Sequence, residues 1–327
     1  MSSPAAADGG GAPAEVCDMR EAVVEELVRS SNEGTPVVVL VSDSTTTAAI
    51  APFAACFPDR LVNVGIAEQN LLGVAAGLSL GGFVSVTANA ACFLTTRSCE
   101  QLKNDICYSA TNVKLLGLNA GVAYGPLAGT HHAIDDISIL RGMGTIRIFA
   151  PADAPEAGQV MRHALSTPGP VYIRMDSAPV PVFHGPDYTF KPGAVDVIAP
   201  GRDVTVFALG PLVTEALRAR DQAAARGVSV AIVNLSSIRP LDLDAVASHA
   251  AATGRILTVE EHSLHGGIGS VVAETIAERG LLVRLRRLGI PEGQFAKTGP
   301  RAEIRRYYGL DAQGIEEAAL GLAGRSG

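Results

Sequence analysis

RLVNVGIAEQNLLGVAAGLSLGG, residues 60–82, decides how the rest of the chain is read. A strand end leads through a tight turn into a helix built almost wholly of small and apolar residues. One acid, Glu68, stands at the mouth of that helix. An ionised carboxylate buried without a partner is costly and tends to shift its pKa and take up a proton. The position therefore calls for chemistry that uses a carboxyl group.

Outward from this stretch, short β-branched runs bounded by turn residues recur: TPVVVLVSD (35–43), FVSVTA (83–88), VKLLGLNAG (113–121), TIRIFAPAD (145–153) and PVYIRMD (170–176). Helical patterns lie between them, such as CDMREAVVEELVRSSNEG (17–34) and SCEQLKNDICYSA (98–110). Apolar strands alternating with helices predict an α/β fold whose mainly parallel sheet is covered on both faces. SAPVPVFHGPDYTFKPG (177–193), with four prolines, breaks the pattern and reads as a linker. A second series follows: RDVTVFALG (202–210), a helix over 211–226, GVSVAIVNL (227–235), RILTVEEHS (255–263) and GGIGSVVAETIAERG (266–280). The expected organisation is a tail over 1–14, one α/β domain over 15–177, a linker over 178–193 and a second α/β domain over 194–327.

Composition narrows the function. The 327 residues carry a net charge of −7, with 47% hydrophobic and 18% charged residues. No basic run or basic aromatic stripe suggests a nucleic-acid surface, and no apolar run approaches the ~18 residues of a membrane span. The beginning MSSPAAADGGGAPAE lacks the basic and apolar regions of a secretory signal and reads as a disordered tail. The five cysteines (17, 56, 92, 99, 107) form no CxxC pair, which favours free thiols in a reducing cytoplasm, and the seven histidines form no HExxH. No metal site is expected from either set.

Ligands of open α/β sheets bind beyond the carboxyl ends of strands. Asp43, Glu68, Asn119 and Arg174 all fall at such ends. Singly, each reads as a cap, a turn residue or a surface charge. Together with VSDS (41–44), VGIAEQN (64–70), EQLKNDI (100–106), GTHHAIDDISILR (129–141), PADAPEA (151–157), PVYIR (170–174), SSIRPLD (236–242) and VEEHSLHGGIGS (259–270), they give a specific match. In these segments the chain resembles the C-terminal half of transketolases, the pyrimidine-binding domain plus the C-terminal domain, and above all the separately encoded C-terminal subunit of split transketolases. The GIAEQ core is also similar to 1-deoxyxylulose-5-phosphate synthase.

The resemblance implies a thiamine diphosphate enzyme that transfers a two-carbon ketol unit from a ketose, expected to be phosphorylated, to an aldehyde. Glu68 matches the glutamate that hydrogen-bonds N1′ of the aminopyrimidine and favours the imino tautomer, whose 4′-nitrogen takes the thiazolium C2 proton. Phe93 matches the aromatic that packs on that ring, and Asp43 and Ile66 fall beside the cofactor. Arg20, Thr47, Asn119, Leu127, His131 and Arg174 match positions that contact the sugar phosphate or line its path. Arg20 and Arg174 would together make an ordinary anion clamp.

Three departures matter. No GDG occurs in the chain, so the diphosphate and Mg²⁺ are expected to be held mainly by a partner, an N-terminal transketolase-like subunit carrying that motif. The site would then lie between subunits, in an assembly expected to be an alpha2beta2 heterotetramer. In LNAGVAYGPLAGTHHA (118–133), Asn119 stands where the family usually has His and Leu127 where it usually has Asp. Leucine accepts no hydrogen bond, and a site lacking a polar partner loses discrimination for that hydroxyl. Ala90 replaces the first aromatic of the cofactor pocket. Thiamine chemistry with a non-standard substrate is the resulting expectation.

Other readings stay open at this level. They are a deoxyxylulose-phosphate-synthase-like condensation, acyl transfer of the kind performed by the β chain of a 2-oxo acid dehydrogenase, and an inert protein with a binding or regulatory role. GGIGS (266–270) does not satisfy GxGxxG, which leaves a dinucleotide-binding protein little support. Glu260, Glu261, His262 and His265 form a polar cluster after a strand and read as a structural or interface feature.

Overall fold

The computed structural model describes residues 15–325; the tail expected over 1–14 lies outside the described residues. In chain order the strands are β1 (Val16–Cys17), β2 (Val37–Val41), β3 (Leu61–Asn63), β4 (Val84–Ala90), β5 (Val113–Leu118), β6 (Arg147–Phe149), β7 (Val171–Arg174), β8 (Val180–Pro181), β9 (Asp196–Ala199), β10 (Val204–Ala208), β11 (Val230–Asn234), β12 (Ser237–Arg239), β13 (Arg255–Ser263) and β14 (Arg284–Ile290). The helices are α1 (Met19–Asn32), α2 (Ala51–Cys56), α3 (Glu68–Leu80), α4 (Cys99–Gln101), α5 (Asp136–Arg141), α6 (Ala154–Ser166), α7 (Leu212–Ala225), α8 (Leu243–Thr253), α9 (Ile268–Glu278), α10 (Arg301–Tyr307) and α11 (Ala312–Leu322).

The first sheet runs β12–β6–β7–β5–β4–β2–β3 and is parallel except at β12. β2 reads as an unbroken apolar run, VVVLV, because both faces of the sheet are covered. Along β2, Val37, Val39 and Val41 pack toward α1 and α6, while Val38 and Leu40 pack toward α3. The second sheet runs β14–β13–β10–β11–β9, parallel except for β9. Asp18, Asp153, Asp242 and Asp311 cap α1, α6, α8 and α11 through their carboxylates, each accepting an otherwise orphaned backbone N–H.

Three features lay beyond the sequence pattern. Ser237–Arg239, which follows β11 of the second sheet in the chain, crosses over as the antiparallel edge strand of the first sheet. One apolar core runs from Leu71, Leu102 and Ile148 through Phe207, Leu235 and Ile238 to Ile268, so the two α/β units share their packing. The helix expected over 98–110 is a short α4 flanked by two π-type segments, Phe93–Arg97 and Leu102–Tyr108. Ser98 N–H donates to the Phe93 carbonyl five residues back at 3.2 Å, and the Ser98 hydroxyl donates to the same carbonyl at 3.0 Å. Such π-bulges occur preferentially at functional sites.

The Pro-rich stretch 177–193 is packed chain. β8 pairs antiparallel with β1, and Tyr188 Oη donates to Glu156 at 2.8 Å. His184 lies between Asp153 (Nδ1, 2.8 Å) and Asp196 (Nε2, 2.7 Å). Burial alone would lower the imidazole pKa; the two carboxylates outweigh it and raise it to about 9. Among the described residues no helix is long and apolar enough to cross a membrane.

Candidate active site

The site forms where the loops after β2, β3, β4 and β5 meet. Asn63 ties the first two together: its side-chain oxygen accepts from Asp43 N–H at 3.1 Å and from Gly65 N–H at 2.9 Å. Ser44 anchors the β2 loop to β4 by donating to the Ala88 carbonyl at 3.1 Å. Asp43 therefore stands beside the Gly65–Ala67 turn that delivers Glu68, with Ile66 76% exposed on that turn. Asp43 (φ 60°) and Asn119 (φ 51°) both hold the left-handed conformation, which Asp and Asn tolerate better than most residues. Non-glycine residues in this region cluster at functional sites.

Glu68 is 4% exposed at the first position of α3, and it has a partner. Arg97 Nη1 lies 2.9 Å from both carboxylate oxygens, and the Arg97 guanidinium carbon lies 4.1 Å from the centre of the Phe93 ring. The partner lies 29 residues further along the chain. A signal existed in the sequence: Arg97 follows Phe93 by four residues, a spacing that puts two side chains on one side of a helical segment.

Beyond Phe93 the lining continues with His131, edge-on at 5.2 Å between centroids, and then Tyr124 at 5.4 Å from His131. Thr130 Oγ1 is 2.9 Å from His131 Nδ1. Ala90, Ala91, Cys92, Ala120 and Ala133 form a small-residue cluster behind Phe93 and Tyr124. Burial pushes the Cys92 thiol up to about 12, which removes it as a nucleophile. Burial also raises the Tyr124 phenol, with a hydrogen bond from Asn119 opposing the rise. The structure thus brings together Glu68, Phe93, His131 and Asn119, with Asp43 and Ile66 at the rim of the same strand ends. It adds Arg97, Tyr124 and Asn63, which sequence reasoning missed.

Both arginines of the expected anion clamp are paired within the chain. The Arg20 guanidinium is held by Asp18 (Nε 3.0 Å to both oxygens) and donates to the Thr47 carbonyl at 2.9 Å. Arg174 is buried and gives three hydrogen bonds within the chain: Nε to Asp136 at 2.9 Å, Nη2 to the carbonyls of Ala133 at 3.1 Å and Glu261 at 2.9 Å. Each guanidinium thus has its own carboxylate, and Thr47 takes part through its backbone. Leu127 is 50% exposed on the 3₁₀ turn Gly125–Thr130, whose Ala128 has φ 62°.

Arg174 belongs to a polar junction between the two α/β units. Glu261 is bound by Arg301 (Nη2 2.8 Å) and Arg305. Burial opposes its ionisation, but the two guanidinium charges hold it well below the usual carboxylate range. Glu260 accepts from Ile268 and Gly269 N–H, both at 2.8 Å, at the start of α9; burial raises it to about 7 against those bonds. Burial lowers His262 to about 4.

An aminopyrimidine needs a carboxyl group that can share a proton with N1′ and a flat apolar face, and Glu68 and Phe93 fit both needs. A divalent cation is not served in the same way. Among the described residues one acidic and histidine trio has ligand atoms within reach of one ion, Asp153, Glu156 and His184. Its groups are already bonded: Asp153 to His184, His184 also to Asp196, and Glu156 to Ala152 N–H, Tyr188 and Asn234.

Comparison with known proteins places this arrangement. Residues 15–181 match the model of the transketolase pyrimidine-binding domain, and residues 193–315 that of the transketolase C-terminal domain. The chain belongs to the transketolase family. It is 49% identical over 300 residues to one of the subunits of the apulose-4-phosphate transketolase of Actinobacillus succinogenes, covering 92% of this chain and 96% of that protein. It is 32% identical over 301 residues to the SqwH subunit of the 6-deoxy-6-sulfo-D-fructose transketolase of Clostridium sp. (strain MSTE9), covering 92% and 93%. A solved split-gene transketolase, described as an inactive beta4 tetramer, superposes with a TM-score of 0.86 at 34% identity, covering 95% of this chain and 99% of that one. In extent and fold the chain therefore corresponds to the C-terminal subunit of a split transketolase.

Proposed function

We propose that this chain is the C-terminal half of a thiamine diphosphate-dependent split transketolase and works only with an N-terminal subunit carrying the GDG motif. The observation that supports this most is the buried carboxylate of Glu68 beside the face of Phe93, at the carboxyl ends of a parallel sheet. Bound thiamine diphosphate supplies the carbanion chemistry that breaks and remakes the ketol carbon–carbon bond. Glu68 holds the proton at N1′, Phe93 offers a stacking face, and the alanine cluster behind it makes room for the ring and keeps water away. His131 and Asn119 face the substrate path, with Asp43 and Ile66 at its rim. The diphosphate and Mg²⁺ fall to the partner, because this chain has no GDG and the acidic trio of its described residues is already bonded. An alpha2beta2 assembly follows from a site shared between two kinds of chain.

The substrates are a ketose phosphate donor and an aldehyde acceptor. Leu127, at the position where an aspartate is usual, accepts no hydrogen bond, which favours a sugar lacking the usual hydroxyl pattern. The 49%-identical relative is named for apulose 4-phosphate, which makes that ketose phosphate the first substrate to try. The test is reconstitution with the GDG-bearing partner, thiamine diphosphate and Mg²⁺, following ketol transfer. Glu68→Gln should lower kcat by about 100-fold or more, the scale of a lost acid–base contact. Full turnover by Glu68→Gln would overturn the proposal.

A further inference from the structure

Both groups assigned above to the aminopyrimidine are engaged by a third residue. Arg97 Nη1 takes the two Glu68 oxygens at 2.9 Å each, and its guanidinium carbon lies 4.1 Å from the Phe93 ring centre. The aromatic neighbour of Phe93, His131, meets it edge-on at 67° rather than covering it in parallel. A guanidinium is planar, donates to carboxylates in its plane and stacks on aromatic faces. Those are also the recognition properties of a flat nitrogen heterocycle that donates to Glu68 from its edge and stacks on Phe93 with its face.

Resting on that reading of Glu68 and Phe93, we propose that Arg97 is an internal competitor for the aminopyrimidine: its guanidinium and the cofactor ring seek the same carboxylate and the same aromatic face, so Arg97 must swing out for the cofactor to enter. The side chain can do so. It is 46% exposed, whereas Glu68 is 4% exposed and fixed on α3, so Arg97 is the mobile member of the pair. The Arg97–Glu68 pair also gives the buried carboxylate a counter-charge in the arrangement that excludes the ring, where an unpaired one would be costly. Cofactor affinity is then reduced by the population of the closed arrangement, which the partner chain can relieve by offering the guanidinium another acceptor.

The test uses the complex with the N-terminal subunit and titrates thiamine diphosphate calorimetrically at saturating Mg²⁺. Arg97→Met should bind about tenfold more tightly than the unsubstituted complex, because the competing arrangement is removed. Arg97→Lys keeps a charge near Glu68 without the planar fork and should fall between the two. It also serves if the Met variant folds poorly. Unchanged or weaker binding by both variants would overturn the proposal. The double variant Arg97→Met/Glu68→Gln, measured against Arg97→Met, separates the two readings. Weaker binding in the double variant keeps the Glu68 site even where the competition fails. Equal binding removes Glu68 from the cofactor and the competition with it.

Discussion

Arg174→Met separates two roles for one arginine. As an anion-binding arm it would be dispensable for folding; as the strut seen here it holds the junction of the two α/β units. Its side chain is 6% exposed and that of Asp136 is fully buried, with 2.9 Å between Nε and Oδ2. Methionine removes that contact and the donors to the Ala133 and Glu261 carbonyls, while Asp136 keeps the Tyr172 hydroxyl at 2.8 Å. A buried charge left without its partner costs about 3–5 kcal/mol. Each orphaned carbonyl adds roughly 1–3 kcal/mol before relaxation, and these costs are not additive. At about 5 kcal/mol, the lower end of these costs, the midpoint falls by about 10 °C, at roughly 2 °C per kcal/mol for a chain of this size. The assay is thermal unfolding of the purified chain followed by far-UV circular dichroism. Arg174→Met/Asp136→Asn should recover part of the loss, because it no longer strands a carboxylate. A midpoint within about 2 °C of the unsubstituted chain, together with a raised KM for the ketose phosphate, would refute the strut and restore the anion arm.

Two further outcomes follow from the same packing. His184 has its pKa raised to about 9 by Asp153 and Asp196, so its stabilisation is complete below the ordinary histidine value near 6.5 and is lost as pH rises through 9. The unfolding midpoint should fall between about pH 7 and 10 more steeply in the unsubstituted chain than in His184→Gln; parallel profiles would rule out the linkage. At Gly117, on β5, a Cβ would overlap the buried Tyr172 hydroxyl that bonds Asp136. Gly117→Ala should destabilise by about 1–3 kcal/mol in urea unfolding, and an unchanged midpoint would show that Tyr172 moves freely.

The parts of the fold that were legible in sequence are those where burial on both faces leaves a continuous apolar run, as in VVVLV of β2, with glycines and prolines marking the ends. Glu68 was legible as the lone acid at the start of an apolar helix, and Phe93 by family motif. β12 was not: Ser237–Arg239 is three residues long, and nothing in it says which sheet it joins. The π-type segments were hidden because no residue type marks where a helix takes in an extra residue. Pairing of side chains was the largest gap. Arg174 and Asp136 are 38 residues apart, and Glu68 and Arg97 are 29 apart. A basic residue at a strand end looks the same in sequence whether it faces a substrate or a carboxylate of its own chain.

In the proposed function this chain holds the aminopyrimidine half of a site whose diphosphate and metal half lies on another chain. Calorimetric titration of thiamine diphosphate with Mg²⁺ tests it directly, first into the chain alone and then into its complex with the GDG-bearing partner. Binding to the complex and none to the chain alone is the expected result. Tight, Mg²⁺-dependent binding to the chain alone would contradict it.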